Sequence, residues 1–280
     1  ISAQDNELKI KIYHKGTQLS LSDMIPVLEN FGLKVLEELP YEIEQEKETF
    51  WIHTFTVDSP FNPNLDPSEH KENLSEAFSA IWQKQADDDT FNELILKAGV
   101  TWRQVSMLRA YSRYMKQIKM GFSQKYIANS LVNHTSIAKK LIGLFDCRFN
   151  PSKKRSEKTA SRIIEQLETL FEQVESLSED RILRQYIELI LATLRTNFFQ
   201  KGTNGAEYKE YLSLKLNPSL IKEIPLPRPM FEIFVYSPRV EGVHLRGGKV
   251  ARGGLRWSDR SEDFRTEFLG LVKAQQVKNA

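Results

Sequence analysis

The spacing of the apolar residues changes along this chain, and that change limits the possible folds more than any other feature. From Glu7 to Tyr13 apolar and polar residues alternate, so that Leu8, Ile10 and Ile12 lie on one face of a strand. Farther on, apolar residues recur with helical spacing for about 130 residues, and a strand pattern returns at 231–236. The sequence therefore predicts an α+β fold with strands at both ends and helices between them.

A small α/β unit is predicted for residues 1–60. Three strands are expected, at residues 7–13, 33–39 and 50–57. A helix that Ser20 or Ser22 can cap separates the first two strands. The resulting order, βαββ, is the beginning of a ferredoxin-like sandwich. A mainly helical region is expected to follow over residues 61–224.

The last predicted part of the chain comprises residues 225–280. Four prolines between Pro218 and Pro229 exclude a helix there and mark the entry to a new domain. The predicted elements are a strand at 231–236, a hairpin with arms at 243–246 and 249–251, and a helix from Glu262 to about Lys278.

Composition excludes several classes of protein. The single cysteine, Cys147, excludes an internal disulfide and a cysteine-based zinc cage, and it fits a reducing compartment, so a cytoplasmic location is expected. No apolar run approaches about 18 residues, so no membrane span is expected. Because the chain starts at Ile1 without a signal peptide and stops inside an apparent helix, we interpret it as a piece cut from a longer protein.

The net charge of +2 conceals an uneven distribution along the chain. Residues 1–100 carry 8 basic and 19 acidic side chains, whereas residues 101–224 carry 21 and 12, and residues 225–280 carry 10 and 6. Such opposed segments are typical of domains that face each other or different partners, and ordinary solvated surface is the alternative.

The stretch that most strongly indicates chemistry runs from His244 to Arg256 (HLRGGKVARGGLR). It contains four cationic side chains, two glycine pairs and no carboxylate: Arg246, Lys249, Arg252, Arg256, Gly247-Gly248 and Gly253-Gly254. Glycine lets backbone N–H groups approach a ligand, and arginine presents a planar fork to a carboxylate or phosphate, so the stretch predicts an anion site. A solvated hairpin rim is the alternative. The flanking strand and helix disfavour an arginine-glycine tract that binds nucleic acid.

Two lysines on the helix that follows add positive charge to this predicted site. Lys273 and Lys278 are five residues apart, which is about 140° around a helix, so only one of them is expected to face the glycine-rich stretch.

Other polar and aromatic residues are interpreted as structural. Asp87-Asp88-Asp89 is expected to cap a helix that starts near Thr90. The five histidines lack the spacing of metal ligands, so no metal site is predicted. The tryptophans are predicted to lie in the core, and for Trp257 a place in the wall of a substrate pocket is the alternative.

Residues 228–280 resemble the large NAD-specific glutamate dehydrogenases of bacteria, and the likeness is nearly continuous over about 50 residues. The helical region also resembles that family's middle region at Thr101-Trp-Arg-Gln-Val and Glu179-Asp-Arg-Ile-Leu-Arg. The βαββ unit resembles the ACT-like regulatory modules found in the N-terminal part of these enzymes.

The resemblance implies a reaction in which L-glutamate, water and NAD⁺ give 2-oxoglutarate, ammonium and NADH. It implies that Arg252 binds the side-chain carboxylate of glutamate, that Lys278 or its competitor Lys273 holds the α-carboxylate, and that Gly253 and Gly254 let the backbone approach. Arg256 belongs to the same stretch.

The resemblance also implies that parts of the catalytic machinery lie outside this chain. The family's catalytic lysine would lie just beyond residue 280, and no strand-linked G-x-G-x-x-G is present, so neither catalysis nor NAD binding is expected of this chain alone. A homo-oligomeric parent enzyme is expected. The alternative hypothesis is that the chain is a regulatory and assembly module that binds an amino-acid effector or another subunit. Neither nucleic acid nor a membrane is an expected partner.

Overall fold

A four-stranded antiparallel sheet forms at the N-terminal end in the computed structural model, which describes residues 2–4, 7–58, 67–203, 205–248 and 254–278. Its strands are β1 (Ser2–Gln4), β2 (Glu7–Lys15), β3 (Lys34–Gln45) and β4 (Glu48–Asp58), in the spatial order β1-β2-β4-β3. Helix α1 (Leu21–Asn30) connects β2 to β3. The predicted βαββ order is therefore present, and a short edge strand that the sequence analysis missed precedes it.

The core of this first sheet follows from the alternation of the strands. Leu8, Phe55 and Val57 from the sheet and Met24 and Leu28 from α1 are all buried. Each such side chain contributes about 1.5–3 kcal/mol when it is removed from water. The period of two in β2 and the helical spacing in α1 thus place apolar side chains in one shared core.

The helical spacing after this sheet forms helices α2 to α8. They are α2 (Pro67–Trp82), α3 (Glu93–Lys97), α4 (Trp102–Gln117), α5 (Gln124–Asn133), α6 (Thr135–Phe149), α7 (Glu157–Phe171) and α8 (Leu177–Ala192). Helix α4 is unusual because it buries polar as well as apolar side chains: Leu108, Tyr111 and Met115 are fully buried, and so are Arg109 and Gln117.

Short polar side chains begin several of these helices. The Oδ1 atom of Asp89 accepts a hydrogen bond from the backbone N–H of Phe91 at 3.1 Å, which confirms the cap predicted for Asp87-Asp88-Asp89. It begins a 3-10 turn, Thr90–Asn92, that leads into α3. Ser123 caps α5 in the same way, whereas the hydroxyl of Ser20, at the start of α1, bonds to Ser22 and makes no capping bond.

A second antiparallel sheet forms in the C-terminal part of the chain. Its strands are β5 (Thr193–Thr196), β6 (Leu212–Leu216), β7 (Phe231–Tyr236) and β8 (Glu241–Arg246), in the order β5-β6-β7-β8. The turn between β7 and β8 is closed by the N–H of Ser237, which donates to the carbonyl of Val240 at 2.9 Å. The hairpin was predicted instead around Gly247-Gly248, and the arm predicted at 249–251 lies outside the described residues.

The α+β prediction is confirmed, since helices and two small antiparallel sheets make up the described chain. The last helix, α9 (Phe264–Lys278), begins two residues after its predicted start. The chain divides into two compact units, Ile1–Val105 and Ser106–Ala280. Strands β5 and β6, which precede residue 225, lie in the same sheet as β7 and β8, and the domain boundary predicted at 225 stays a prediction.

Candidate functional site

The glycine-rich stretch lies between β8 and α9. The structure describes it up to Gly248 and again from Gly254, so Arg252 and Gly253 lie outside the described residues. Lys278 ends α9, and its side chain also lies outside them. Gly254, Arg256 and Lys273 are described, and all three are exposed.

The described part of this stretch presents an open surface. The side chain of Leu255 is fully exposed and that of Trp257 is 81% exposed. The core position predicted for Trp257 is therefore wrong, because no element of the described chain packs over it. A Cβ atom placed on Gly254 would meet no atom within 4 Å, so packing within the described chain does not require a glycine there.

Arg246, the last residue of β8, makes a hydrogen bond to the loop that follows the strand. Its Nε atom donates to the carbonyl oxygen of Gly248 at 3.1 Å. This arginine was predicted as one of four cations of the anion site, and in the structure its guanidinium supports the backbone of the loop. In contrast, Arg256 and Lys273 form no ion pair within the described part of the chain.

Helix α9 is anchored by an ion pair that is fully buried. The Nε and Nη2 atoms of Arg265 donate to the two carboxylate oxygens of Glu232 on β7 at 2.7 and 2.8 Å, and both side chains are 0% exposed. Burial alone would lower the pKa of Arg265, but the hydrogen bonds and charge of Glu232 outweigh it and raise that pKa above its ordinary value. The guanidinium therefore stays charged, as a bidentate pair requires.

The end of α4 holds the start of α9 through Gln117. Its Nε2 atom donates to the carbonyl oxygens of Ser261 at 3.1 Å and Glu262 at 3.5 Å, and its Oε1 atom accepts from the backbone N–H of Arg265 at 3.1 Å. The first N–H groups of a helix have no partner within the helix, so this amide satisfies one of them. Near it, Lys116 forms an ion pair with Glu262 at 2.7 Å.

The loop that carries Arg256 is tied to the same turn of α9. The hydroxyl of Ser258 donates to Oε2 of Glu267 at 2.6 Å and accepts from the backbone N–H of Arg260 at 3.2 Å. Arg260 pairs with Asp263 through both carboxylate oxygens, and this hydrogen bonding lowers the pKa of Asp263. The hydroxyl of Ser258 thus joins the loop directly to the first turn of the helix.

Sequence reasoning missed Glu232, Gln117 and Ser258 as residues that organise this region. The hydrogen bond from Arg265 to Gln117 spans 148 residues and the ion pair with Glu232 spans 33. No local spacing links partners that far apart. Only the bond from Ser258 to Glu267 joins residues that are close in the sequence, nine positions apart, so it alone could have been predicted from local spacing.

Two further findings limit the kind of site. Among the residues that the structure describes, no group of three histidine, cysteine, aspartate or glutamate side chains could hold a metal ion. None of the described helices combines the length and apolar character needed to cross a bilayer.

Three family models match successive parts of the sequence. Residues 1–70 match the ACT3 domain of glutamate dehydrogenase, and residues 86–151 match its helical motif 3. Residues 166–280 match the catalytic domain of bacterial NAD-glutamate dehydrogenase.

Curated relatives are similar over almost the whole chain. NAD-specific glutamate dehydrogenase of Halomonas elongata is 51% identical over 280 residues, which is 100% of this chain and 17% of that protein. The proteins of the same name from Pseudomonas aeruginosa and Mycobacterium tuberculosis are 52% and 46% identical, over 99% and 95% of this chain. The chain thus spans about 17% of the length of these relatives.

Proposed function

Because this chain belongs to the family of bacterial NAD-glutamate dehydrogenases, we propose that it forms part of a longer enzyme that oxidises L-glutamate. The reaction converts L-glutamate, water and NAD⁺ into 2-oxoglutarate, ammonium, NADH and a proton. The observation that carries the proposal is the identity of about one half to proteins named NAD-specific glutamate dehydrogenase over nearly all of these residues.

We propose that the segment from Arg252 to Lys278 supplies cations for the two carboxylates of glutamate. Arg252 takes the side-chain carboxylate, and Lys278 or Lys273 takes the α-carboxylate. Two separated positive charges fix both the length and the orientation of a dicarboxylic amino acid, which is what hydride transfer from its Cα requires.

Several features of the described residues support this assignment. Arg256 and Lys273 are exposed and form no ion pair within the described chain, so their charges are available to an anion. Gly254 has open space where a side chain would stand, which leaves room for a ligand beside the backbone. Gly253 is assigned the same role by its place in the motif.

The described residues of this chain do not fit NAD itself. Dinucleotides bind at the carboxyl ends of parallel strands beside a glycine-rich turn, whereas every strand pair described here is antiparallel. We propose that the NAD-binding fold and, as the resemblance implies, the catalytic lysine lie in other parts of the enzyme, and no step at the cofactor is assigned to this chain.

The test compares the full-length enzyme with the 280-residue chain alone. NADH absorbance is followed after mixing each protein with L-glutamate and NAD⁺. The full-length enzyme is expected to form NADH and the isolated chain to form none. Turnover by the isolated chain would contradict the proposed division of the machinery, and a full-length enzyme that is inactive with glutamate would contradict the proposed reaction.

We also propose that residues 1–60 form an ACT-like regulatory unit, with residues 61–224 as a helical region and 225–280 as the start of the glutamate-binding domain. The match of residues 1–70 to an ACT3 domain favours this second role. The unit would bind an amino-acid effector or pair with another subunit of a homo-oligomer. Substitutions within residues 8–57 should then alter activation or assembly of the full-length enzyme while leaving the KM for glutamate unchanged.

We propose a cytoplasmic location for the enzyme. The single cysteine, Cys147, suits a reducing compartment, since oxidising compartments favour paired cysteines. Fractionation of the native host, with activity measured in each fraction, tests this location.

A further inference from the structure

Three parts of the second unit that are far apart in sequence meet at the first turn of α9. The end of α4 contributes Gln117, strand β7 contributes Glu232, and the loop before the helix contributes Ser258. Their partners on α9 are the N–H of Arg265, the guanidinium of Arg265 and the carboxylate of Glu267. We name this group of contacts the α9 anchor.

We propose that Gln117, Glu232 and Ser258 are positioning residues for glutamate: the α9 anchor sets the distance and angle between Arg256 in the loop and Lys273 on α9. This inference rests on the proposed function. None of the three residues is assigned contact with the substrate; each acts through the helix or the loop that it holds.

The contacts of the anchor restrict both the position and the rotation of the helix. Gln117 binds on both sides of the helix start, since it donates to the carbonyls of Ser261 and Glu262 and accepts from the N–H of Arg265. The bidentate pair of Arg265 and Glu232 adds a planar contact with a fixed direction. A hydrogen bond weakens steeply when its donor–hydrogen–acceptor angle departs far from a straight line. These contacts therefore define one orientation of α9.

Position at the first turn matters because the proposed substrate lysines lie farther along the helix. Lys273 comes eight residues after Arg265, which is about 12 Å along the axis. A tilt of about 5° at the anchor would therefore move the backbone at Lys273 by about 1 Å. A displacement of this size at a reacting centre can reduce a rate by about 100-fold.

Ser258 connects the other half of the site to the same anchor. It lies two residues after Arg256, and its hydroxyl donates to Glu267 at 2.6 Å. The loop and the helix are thus fixed to each other directly, and not only through the core. Because Ser258 is only part-buried, its substitution should disturb the site without emptying the core.

The experiment uses the full-length enzyme with Ser258→Ala, Ser258→Thr and Gln117→Met. The matched control is Arg239→Gln, which breaks an exposed ion pair with Glu210 beside the same sheet. For each protein the KM for glutamate, the KM for NAD⁺, kcat and the thermal midpoint are measured. The KM values separate positioning from a purely structural role, which would change only the thermal midpoint.

We expect Ser258→Ala to raise the KM for glutamate by about tenfold, the effect of about one hydrogen bond, with the KM for NAD⁺ unchanged. Ser258→Thr keeps a hydroxyl and should stay close to the wild type, as should Arg239→Gln. Gln117→Met should raise the KM for glutamate at least as much as Ser258→Ala does.

A wild-type KM for glutamate in folded Ser258→Ala enzyme would overturn the inference, even if Gln117→Met fails to fold. Equal rises in both KM values would overturn it as well. An active wild-type enzyme with unaffected variants refutes this inference alone, whereas a wild-type enzyme that is inactive with glutamate refutes the proposed function and this inference with it.

Discussion

Among single residues, Glu232 and Arg265 form an ion pair in the second unit whose side chains are both withdrawn from water. Two nitrogen atoms of the guanidinium, Nε and Nη2, donate to the two carboxylate oxygens. Glu232→Ala would leave a buried guanidinium without its partner, so we expect it to lower the free energy of unfolding by about 3–5 kcal/mol in urea denaturation. Glu210→Ala, which breaks an exposed pair, should cost less than about 1 kcal/mol. Equal losses for the two variants would contradict this account.

The buried hydroxyl of Tyr111 on α4 leads to a prediction about folding stability at alkaline pH. Burial raises the pKa of Tyr111 above its ordinary value of 10.0, although a hydrogen bond to Thr193 opposes the shift. The unfolded chain therefore loses this proton first, and stability should fall as the pH rises above about 10. The urea midpoint of Tyr111→Phe should fall less between pH 9 and pH 11 than that of the wild type. Tyr13→Phe, at a residue that is 70% exposed, is the control and should follow the wild type.

The two lysines of α9 give a prediction about the substrate. Residues five apart on a helix point about 140° apart, so one of Lys273 and Lys278 should face glutamate and the other should not. In the full-length enzyme, Lys→Met at the facing position should raise the KM for glutamate by at least about tenfold, the cost of a lost charge-assisted hydrogen bond. The same change at the other position should have little effect. Similar effects of both variants would contradict the helical geometry of the proposal.

Residue roles could be predicted from the sequence only where both partners lie close together in it. The cap at Asp89 involves a neighbour two residues away and was predicted correctly. The roles of Gln117 and Glu232 depend on partners that the fold brings together over 148 and 33 residues. The predicted core position of Trp257 was wrong because aromatic character alone does not show which element will cover a side chain.

Among the secondary-structure elements, two helices, α5 and α1, are each preceded by a serine at the N-cap position, so these two serines can be compared directly. Ser123 accepts from the N–H of Tyr126 at 3.2 Å, whereas Ser20 holds the equivalent position on α1 without a capping bond. Ser123→Ala should therefore lower the free energy of unfolding by about 1 kcal/mol, and Ser20→Ala by clearly less. Urea denaturation of both variants measures the difference, and equal losses would show that the capping bond contributes nothing.

Elements with a long, regular pattern were predictable and short ones were not. Strands β2 and β4 and the long helices follow their apolar spacing. Strand β6 has only five residues, and β1 and β5 have three and four. Strands this short are stabilised by pairing with neighbours that are distant in sequence, so little of their signal is local.

At the scale of the whole chain, the second sheet tests the boundary proposed at residue 225. Strands β5 and β6 lie before it and pair with β7 and β8 beyond it. Tyr114 on α4 contacts Phe234 on β7, with ring centres 5.4 Å apart. A chain that ends at residue 224 should therefore bind a dye specific for exposed apolar surface and lose cooperative unfolding of its C-terminal half. Unchanged cooperativity would show that the pairing of β6 with β7 does not stabilise the residues before 225.

The central claim is that the stretch around Arg252 binds the side-chain carboxylate of glutamate, and the most direct test is the kinetics of Arg252→Ala in the full-length enzyme. We predict a rise of at least about tenfold in the KM for glutamate, with the KM for NAD⁺ unchanged, as expected when a charged hydrogen-bond donor to one substrate is lost. Arg239→Ala serves as the control for loss of an exposed arginine. A folded Arg252→Ala enzyme that keeps the wild-type KM and kcat for glutamate would contradict the account.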